Sequence, residues 1–253
     1  MNMKPVFLKT KDGLNIAAKK LEGDPPTIIF MPGFFSNMEG TKATFLEQQC
    51  RNRGQAYIRF DYRGHGKSDG AFEDGTFTDW VNDTLLVLDE LADAPVVAVG
   101  SSMGGWIAML AALKRPDKIR GLVGIASSPD FTEDIWHRRM TDKQRKLMNR
   151  QGYIAQPSDY QDEPVIITKK LLESGKNHLL LNKKSLNLDI PVTLIHGKKD
   201  VDVPWQKSEQ LYRMIDREDS ELIIVPDGQH RLSREKDLEL IWQKVEKITG
   251  LTP

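Results

Sequence analysis

One stretch of the chain reads Pro95-Val96-Val97-Ala98-Val99-Gly100-Ser101-Ser102-Met103-Gly104-Gly105, an apolar run followed by a turn of glycine and serine. The apolar run predicts a strand buried on both faces, and the residues after the turn predict a helix. Glycine at positions 100 and 104 indicates a turn too sharp to admit a Cβ there. This order is typical of a nucleophile elbow, which would hold Ser102 beside the positive end of the helix dipole. A glycine- and serine-rich turn without chemistry is the plainer alternative.

Strand-like and helix-like segments alternate on both sides of this turn. Lys11-Asp12-Gly13 predicts the tight turn of an amino-terminal hairpin, and Thr76 with Asp79 predicts a capping box at a helix start. The alternation predicts an α/β protein with a mostly parallel central sheet of about eight strands and helices on both faces. Apolar runs predict further strands at 27–31, 56–60, 122–126, 192–196 and 222–225.

The span 129–188 breaks this alternation. It is rich in charge and helical in composition, and Val165-Ile166-Ile167 is its only strand-like run. We interpret the span as a helical cap inserted over the sheet. A chain of 253 residues can form one core, so we expect a single domain, 1–253, that contains the cap.

A serine hydroxyl is a poor nucleophile until a base removes its proton, so a histidine is expected after a later strand. His230 follows the last predicted strand, at the edge where the catalytic groups of open sheets collect, and is the predicted base. We expect His196 to brace a strand-to-loop turn and His65 to pack within a glycine-rich loop. His137 and His178 lie in the cap without a motif.

The base in turn needs a carboxylate to hold its tautomer, and in this chain order the acid lies between serine and histidine. Asp200 stands just past the strand that ends at His196 and is the predicted acid, with Asp202 as the alternative. Asp61 and Asp227 also follow strands, and we expect them to brace turns.

Acyl transfer also needs N–H donors aimed at the developing oxyanion. The usual pair is the amide after the nucleophile and one from the loop after the third strand, which here belong to Met103 and Phe34. The predicted reaction is attack by Ser102, with proton transfer to a His230 held by Asp200, followed by hydrolysis of an acyl-enzyme. This chemistry requires no metal and no organic cofactor.

Composition narrows the class of protein. Lys and Arg number 36, as do Asp and Glu, so a formal net charge of zero favours neither nucleic acid nor an anionic membrane as partner. Cys50 is the only cysteine, which excludes an internal disulfide. The amino terminus has no apolar stretch of signal-peptide length, and no segment approaches the roughly 20 apolar residues of a membrane span, so we expect a cytoplasmic protein. The expected partner is a small-molecule or acylated-protein substrate, with the oligomeric state left open.

Several motifs together resemble the α/β-hydrolase superfamily and, more closely, its group that contains the mitochondrial palmitoyl-protein thioesterase and acyl-glucuronide esterase. The resemblance implies the α/β-hydrolase fold, a Ser102-Asp200-His230 triad, and hydrolysis of carboxylic esters, acyl glucuronides or fatty-acyl thioesters. Many relatives carry His-Gly before the oxyanion amide, whereas this chain has Pro32 in place of the histidine. Because Pro32 has no N–H to donate, the N–H of Phe34 becomes the more important donor. The resemblance covers nearly the whole chain and rests on Pro32-Gly33-Phe34, 37–43, 58–62, 100–106, 196–200, 203–205 and His230-Arg231.

The cap leaves several alternatives open. Its leucines, at 171, 172 and 179–181, can line an acyl pocket or pack the cap onto the sheet. A serine peptidase, a C–C hydrolase and a non-catalytic binding protein on the same fold are the alternatives to an ester or thioester hydrolase. Its basic run can attract an anionic leaving group or form a solvated helix face, and consists of Arg138, Arg139, Lys143, Arg145, Lys146 and Arg150.

Overall fold

The computed structural model describes residues 3–93, 95–157, 164–215 and 217–251. Within these residues the main sheet is formed by eight strands: β1 (Lys4–Lys9), β2 (Asn15–Leu21), β3 (Asp24–Met31), β4 (Gln55–Phe60), β5 (Val96–Ser101), β6 (Ile119–Ile125), β9 (Val192–Gly197) and β10 (Glu221–Val225). Their spatial order is β1-β2-β4-β3-β5-β6-β9-β10. β2 runs antiparallel to β1 and β4, and the other neighbours are parallel. The predicted mostly parallel sheet of about eight strands is confirmed.

Helices cover both faces of this sheet. The helices of the described residues are α1 (Thr41–Arg53), α2 (Phe77–Leu91), α3 (Met103–Lys114), α4 (Phe131–Asp134), α5 (Asp142–Gln151), α6 (Lys169–Gly175), α7 (Gln206–Met214) and α8 (Glu235–Leu251). Alternate residues of β3 point into two different cores. Ile28 and Phe30 pack with α1 and α8, whereas Ile29 and Met31 pack with α2 and α3.

Two local sequence signals are seen in the structure. Gly13, with a φ of 91°, turns the hairpin that joins β1 to β2. The capping box at the start of α2 is formed in both directions: the Asp79 N–H donates to Thr76 Oγ1, and the Thr76 N–H donates to the Asp79 carboxylate. Turn and cap residues therefore act locally, as the sequence indicated.

The span 129–188 contains a strand pair where the sequence indicated one strand. β7 (Tyr153–Gln156) pairs antiparallel with β8 (Val165–Thr168), and the expectation that 165–167 was the only strand-like run is wrong. Alanine and glutamine in β7 have low strand propensity, so this strand depends on its pairing with β8 rather than on its own composition. Residues 158–163 of the span lie outside the described residues.

The turn from β5 into α3 leaves no room for side chains on its two flanking glycines. A Cβ on Gly100 would lie 2.2 Å from the carbonyl oxygen of Gly104, and a Cβ on Gly104 would lie 2.0 Å from that of Met31. Both contacts are with backbone, which a rotamer change does not relieve. Glycine is therefore required at both positions.

Replacing Gly100 with alanine should destabilise the protein by about 3 kcal/mol, because the backbone of the turn has to shift. Gly250, in α8, has nothing within 4 Å of an added Cβ. Gly250→Ala should therefore stabilise the protein slightly, by less than about 1 kcal/mol. Urea unfolding measures both changes, and equally small effects would contradict the crowded turn.

His65 is buried in an aromatic cluster in the loop after β4. Its ring packs edge-on against Tyr62, Phe72 and Trp80, with centroid distances of 5.6, 5.2 and 5.2 Å. Nδ1 lies 3.1 Å from the carbonyl oxygen of Arg63 and donates to it, whereas Nε2 has no hydrogen-bond partner among the described residues. Burial lowers the pKa of His65 to about 4, so the folded protein holds this imidazole neutral.

Folding stability should consequently fall in acid through His65. The ordinary pKa of the imidazole is 6.5, so between about pH 6.5 and pH 4 the unfolded chain binds a proton that the folded chain does not. This residue alone should lower the free energy of unfolding by up to about 3 kcal/mol over that interval. In urea unfolding, His65→Asn should show a shallower acid loss than wild type, whereas His137→Asn, at an exposed position, should keep the wild-type slope. Parallel curves for wild type and His65→Asn from pH 7 to 4.5 would rule out this account.

Candidate active site

Ser102 lies at the turn between β5 and α3, at the carboxyl edge of the sheet. Its backbone is in an unusual conformation for a side-chain-bearing residue, with φ 54° and ψ −117°. The Ser102 N–H donates to the Ile125 carbonyl at 2.8 Å, and the Ser102 carbonyl accepts from the N–H groups of Gly105 and Ser128 at 2.9 and 3.0 Å. These hydrogen bonds to α3 and to the end of β6 hold the strained turn in place.

His230 and Asp200 reach Ser102 from two neighbouring loops. β9 and β10 are adjacent and parallel, so the loops that follow them leave the same edge of the sheet. His230 Nε2 lies 3.1 Å from Ser102 Oγ, and His230 Nδ1 lies 2.7 Å from Asp200 Oδ2. The structure thus brings together, in one line of hydrogen bonds, the residues predicted as nucleophile, base and acid.

The Asp200 carboxylate is fully buried and accepts hydrogen bonds on both oxygens. Oδ1 accepts from the backbone N–H groups of Asp202 and Val203 at 2.9 and 2.8 Å. Oδ2 accepts from His230 and also from His196 Nε2, at 3.0 Å. Burial alone would raise the pKa of Asp200, but the hydrogen bonds from His196 and His230 outweigh it and hold that pKa well below its usual range. The acid is therefore ionised at neutral pH.

Asp202, the alternative acid, occupies a supporting position. The Asp202 backbone N–H donates to Asp200, and Asp202 lines the cavity described below. The carboxylate that accepts from His230 Nδ1 is that of Asp200. Ligand atoms of Asp200, Asp202 and His230 lie within 4.8 Å of one another, a spacing that a metal ion could accept. Asp200 and His230 are hydrogen-bonded to each other, and His230 is in turn hydrogen-bonded to Ser102, so these side chains already have partners within the protein.

The other aspartates and histidines considered from the sequence hold loops and helices, with one exception. Asp61 accepts hydrogen bonds from the backbone N–H groups of Met38 and Lys67 at 2.6 and 2.8 Å. His196 is the exception, because it contacts the Asp200 carboxylate as well as bracing its turn. Its position at a strand end, four residues before Asp200, was the sequence signal for this contact. Away from these contacts, Asp227 pairs with Arg234 and Lys236, His137 faces Glu133, and His178 contacts Thr78.

The two predicted oxyanion donors line the cavity beside Ser102. Met103 is the first residue of α3, so its N–H has no acceptor within the helix. Phe34 lies in a turn after β3 that is closed by a hydrogen bond from the Ser36 N–H to the Gly33 carbonyl, 3.1 Å long. Both residues therefore line the same cavity as Ser102.

Aromatic packing fixes the Phe34 turn. The Phe34 ring lies edge-on or tilted against Phe35, Phe72, Trp80 and Phe131, with centroid distances from 5.2 to 5.8 Å. These are preferred geometries for aromatic pairs, and four of them constrain one side chain. The backbone amide of Phe34 is held in position by this packing, whatever the side chain contributes to binding.

A cavity of about 460 Å³ opens onto Ser102 and His230. One part of its wall is apolar and comes from the chain between β6 and β9: Phe131, Ile135, Val165 and Ile167. Cationic side chains from three different elements line another part: Lys42, Arg139 and Arg231. The site therefore combines a hydrocarbon surface with positive charge beside the nucleophile.

The sequence did not single out these apolar wall residues, although their spacing carried a signal. Phe131 and Ile135 are four residues apart, and Ile135 opens a π-helical turn, Ile135–Arg139, a feature often found at functional sites. Val165 and Ile167 alternate along β8 and so share a face. Three leucines of the span 129–188 pack into the core instead of the cavity wall: Leu171, Leu172 and Leu180.

Two of the three cationic side chains at the cavity, Lys42 and Arg139, donate to backbone carbonyl groups. Lys42 Nζ donates to the carbonyl of Arg231, and burial, together with the positive charge of Arg231, lowers the pKa of Lys42 to about 8. Arg139 donates to the Asp202 carbonyl. In the rest of the basic run, Arg138 and Arg145 face Asp134 and Asp142, and Lys143, Lys146 and Arg150 are exposed.

Comparison with known proteins identifies the same class of protein. The family described as alpha/beta hydrolase fold matches residues 26–151. The mouse protein named palmitoyl-protein thioesterase ABHD10, mitochondrial, is 38% identical over 252 residues, which span 98% of this chain and 84% of the mouse chain. The human protein of the same name is 37% identical over 243 residues, 96% of this chain and 79% of the human one. A solved structure of the mouse protein matches with a TM-score of 0.89 at 36% identity, covering 98% of this chain and all of the other.

These relatives correct one expectation. Their names place them in the mitochondrion, which overturns the expectation of a cytoplasmic protein. That expectation rested on the lack of an apolar amino-terminal stretch and of a membrane-spanning segment, neither of which specifies a compartment. Among the residues that the structure describes, no helix has the length and apolar character to cross a bilayer.

The resemblance first seen in scattered motifs is confirmed over nearly the whole length of the chain. Sheet order, elbow and family match agree, and the relatives are aligned over more than two thirds of their own length. The chain belongs to the α/β-hydrolase family.

Proposed function

We propose that this protein is a serine hydrolase that cleaves carboxylic esters and acyl thioesters through an acyl-enzyme on Ser102. One observation carries the proposal: the hydrogen-bonded line from Ser102 Oγ to His230 Nε2, 3.1 Å, and from His230 Nδ1 to Asp200 Oδ2, 2.7 Å. Both distances are within reach of proton transfer. The thioester part of the proposal is supported by the name of the relatives, palmitoyl-protein thioesterase.

Acylation begins when His230 Nε2 takes the hydroxyl proton as Ser102 Oγ attacks the acyl carbon. Because Nδ1–H donates to Asp200, the neutral imidazole has its lone pair on Nε2, the tautomer that a base at this position needs. The ionised Asp200 stabilises the imidazolium that forms. The amides of Phe34 and Met103 bind the oxyanion, and the imidazolium then protonates the leaving alkoxide or thiolate.

Deacylation repeats these steps with water as the nucleophile. His230 removes a proton from water as its oxygen attacks the acyl carbon of the Ser102 ester, and the oxyanion again forms beside the two amides. Collapse of this intermediate returns the proton to Ser102 Oγ and releases the carboxylic acid. The protein groups named here carry every proton that moves.

We further propose that 129–188 is a cap within one domain of residues 1–253 and that its apolar wall holds the acyl group. Support comes from the cavity, whose cap residues Phe131, Ile135, Val165 and Ile167 are all hydrophobic and share one space with Ser102. A hydrocarbon chain gains about 0.8 kcal/mol for each CH₂ that it buries against such a wall. Esters and thioesters place the same acyl group there, so the wall selects the acyl chain rather than the leaving group.

Ser102→Ala should abolish covalent labelling by a fluorophosphonate and lower kcat/KM for ester hydrolysis by at least about 10³-fold, because the attacking oxygen is lost. In-gel fluorescence and p-nitrophenyl ester assays measure the two effects.

The matched control for labelling is Ser128→Ala. Ser128 lines the same cavity, and its contact with Ser102 uses the backbone N–H, which alanine keeps. This variant should still be labelled. A folded wild-type protein that takes no label would refute an acyl-enzyme and favour a binding protein. Cleavage of peptide amides in place of esters would favour the peptidase alternative.

Acyl-chain preference should depend on Ile167. A tryptophan at position 167 fills the apolar end of the cavity and should lower kcat/KM for a long acyl chain, against that for acetyl, by about tenfold or more. The measurement is a series of p-nitrophenyl esters and S-acyl thioesters of increasing chain length, with acyl glucuronides as a further leaving group. Ile166→Trp is the control, because Ile166 lies on the opposite face of β8 and should leave the preference unchanged. Equal effects of the two variants would remove Ile167 from the acyl site.

A further inference from the structure

The acid of the proposed triad is shared between two imidazoles. Asp200 Oδ2 accepts from His230 Nδ1 at 2.7 Å and from His196 Nε2 at 3.0 Å. His196 lies in β9, its side chain is completely buried, and its other ring nitrogen, Nδ1, is 2.7 Å from Ser208 Oγ in α7. The mechanism above uses His230 and gives His196 no role.

The neighbours of His196 determine where its proton lies. Nε2 faces two acceptors, the Asp200 carboxylate and the Val203 carbonyl, each at 3.0 Å. A nitrogen between two acceptors must carry hydrogen, so Nε2–H is the donor. The Ser208 hydroxyl can donate to Nδ1, which completes the neutral imidazole. His196 is therefore held as a hydrogen-bond donor to the acid.

Among the described residues, the charged group in hydrogen-bond contact with His196 is the Asp200 carboxylate. Beside it in the sheet, its register partner on β10 is Ile224, and β6 ends in Ile125 next to Ile195. On α7, Lys207 and Glu209 flank Ser208, and the Lys207 ammonium is bound to Asp134 and to the Pro129 carbonyl. Asp202 and His230 have ligand atoms within 4.8 Å of an Asp200 carboxylate oxygen, and the loop from His196 to Asp200 also contains Lys198 and Lys199.

We propose that His196 is a positioning residue for the proposed hydrolase: its Nε2–H holds Asp200 Oδ2 in line with His230 and takes up part of the carboxylate charge. The inference rests on the proposed function. A carboxylate that is shared in this way stabilises the His230 imidazolium less than an unshared one would. Removing His196 should therefore strengthen the interaction between Asp200 and His230 and change the pH dependence of catalysis.

The test compares His196→Leu, which removes the donor, with His196→Gln, whose side-chain amide can restore it. For the leucine variant we expect kcat to fall by about tenfold, with little change in KM, because one hydrogen bond to a charged group is lost. The acid limb of its kcat/KM profile should move to higher pH. The glutamine variant should recover most of both changes. His178→Gln, which replaces a half-buried histidine hydrogen-bonded to Thr78, is the control and should keep the wild-type profile.

A second measurement does not depend on the leucine variant folding. With ¹⁵N-labelled histidine, the wild-type protein should show hydrogen on Nε2 of His196, the nitrogen that faces Asp200 and Val203. Ser208→Ala should shift the acid limb in the same direction as His196→Leu, but less, because it loosens the ring without removing the donor. A His196 protonated on Nδ1, or a folded leucine variant with the wild-type profile, would overturn the proposal. So would equal losses in the leucine and glutamine variants with no movement of the acid limb, which indicate packing alone.

Failure of this inference and failure of the proposed function give different results. Fluorophosphonate labelling and ester hydrolysis by the wild-type protein test the role of Ser102 without reference to His196. If the wild-type protein labels and turns over while the His196 variants match it, the hydrolase stands and the positioning role is lost. If the wild-type protein neither labels nor turns over, both are lost.

Discussion

Only hydrogen fits on the inner side of Gly100 and Gly104, and the rest of the site depends on this constraint. The close approach of the Gly104 and Met31 carbonyl oxygens forces β5 to turn into α3 within one residue, Ser102. Such a turn exposes the serine hydroxyl instead of packing it, and it leaves the first amides of α3 unpaired beside it. A steric requirement of two glycines thus fixes the positions of both the proposed nucleophile, Ser102, and the proposed oxyanion donor that follows it, Met103.

Parallel strands carry this local constraint to the other groups of the site. Phe34 follows β3, Ser102 follows β5, Asp200 follows β9 and His230 follows β10, and these strands end at the same edge of the sheet. Residues separated by up to 128 positions therefore meet within hydrogen-bonding distance because the sheet itself brings them together. The loops are short extensions of a rigid sheet, so the folding of the core orders the site.

The sequence predicted those parts of the structure that local patterns determine. The elbow, the capping box of α2 and the hairpin at Gly13 each depend on a few adjacent residues, and the order of Ser102, Asp200 and His230 depends on the order of strands. Other features arise only from packing between distant segments: β7 needs β8, and the cavity wall needs the cap residues to be placed over Ser102. The contact of His196 with Asp200 is an intermediate case. The sequence shows that the two residues are four positions apart, but it does not show which way the imidazole ring points.

Two cationic side chains join the apolar wall of the cavity to the chain after β9, one through α7 and one through the carbonyl of Asp202. Lys207, beside the start of α7, is only 7% exposed, and its ammonium binds the Asp134 carboxylate and the Pro129 carbonyl. Burial lowers the pKa of Lys207, while the pairing with Asp134 opposes that change, so removing either partner would leave a buried charge uncompensated.

Arg139 makes the second connection, from the cap to the Asp202 carbonyl next to Asp200. Asp134 and Arg139 bracket Ile135, and they attach this part of the cavity wall to α7 on one side and to the Asp202 carbonyl on the other. A change of shape at Ile135 must therefore move the acid loop or break a buried ion pair. Val165 and Ile167, by contrast, line the cavity from β8, whose strand partner is β7 rather than the chain after β9. The apolar wall therefore has two parts, one bonded through Asp134 and Arg139 to α7 and to the Asp202 carbonyl, and one carried by the β7–β8 pair.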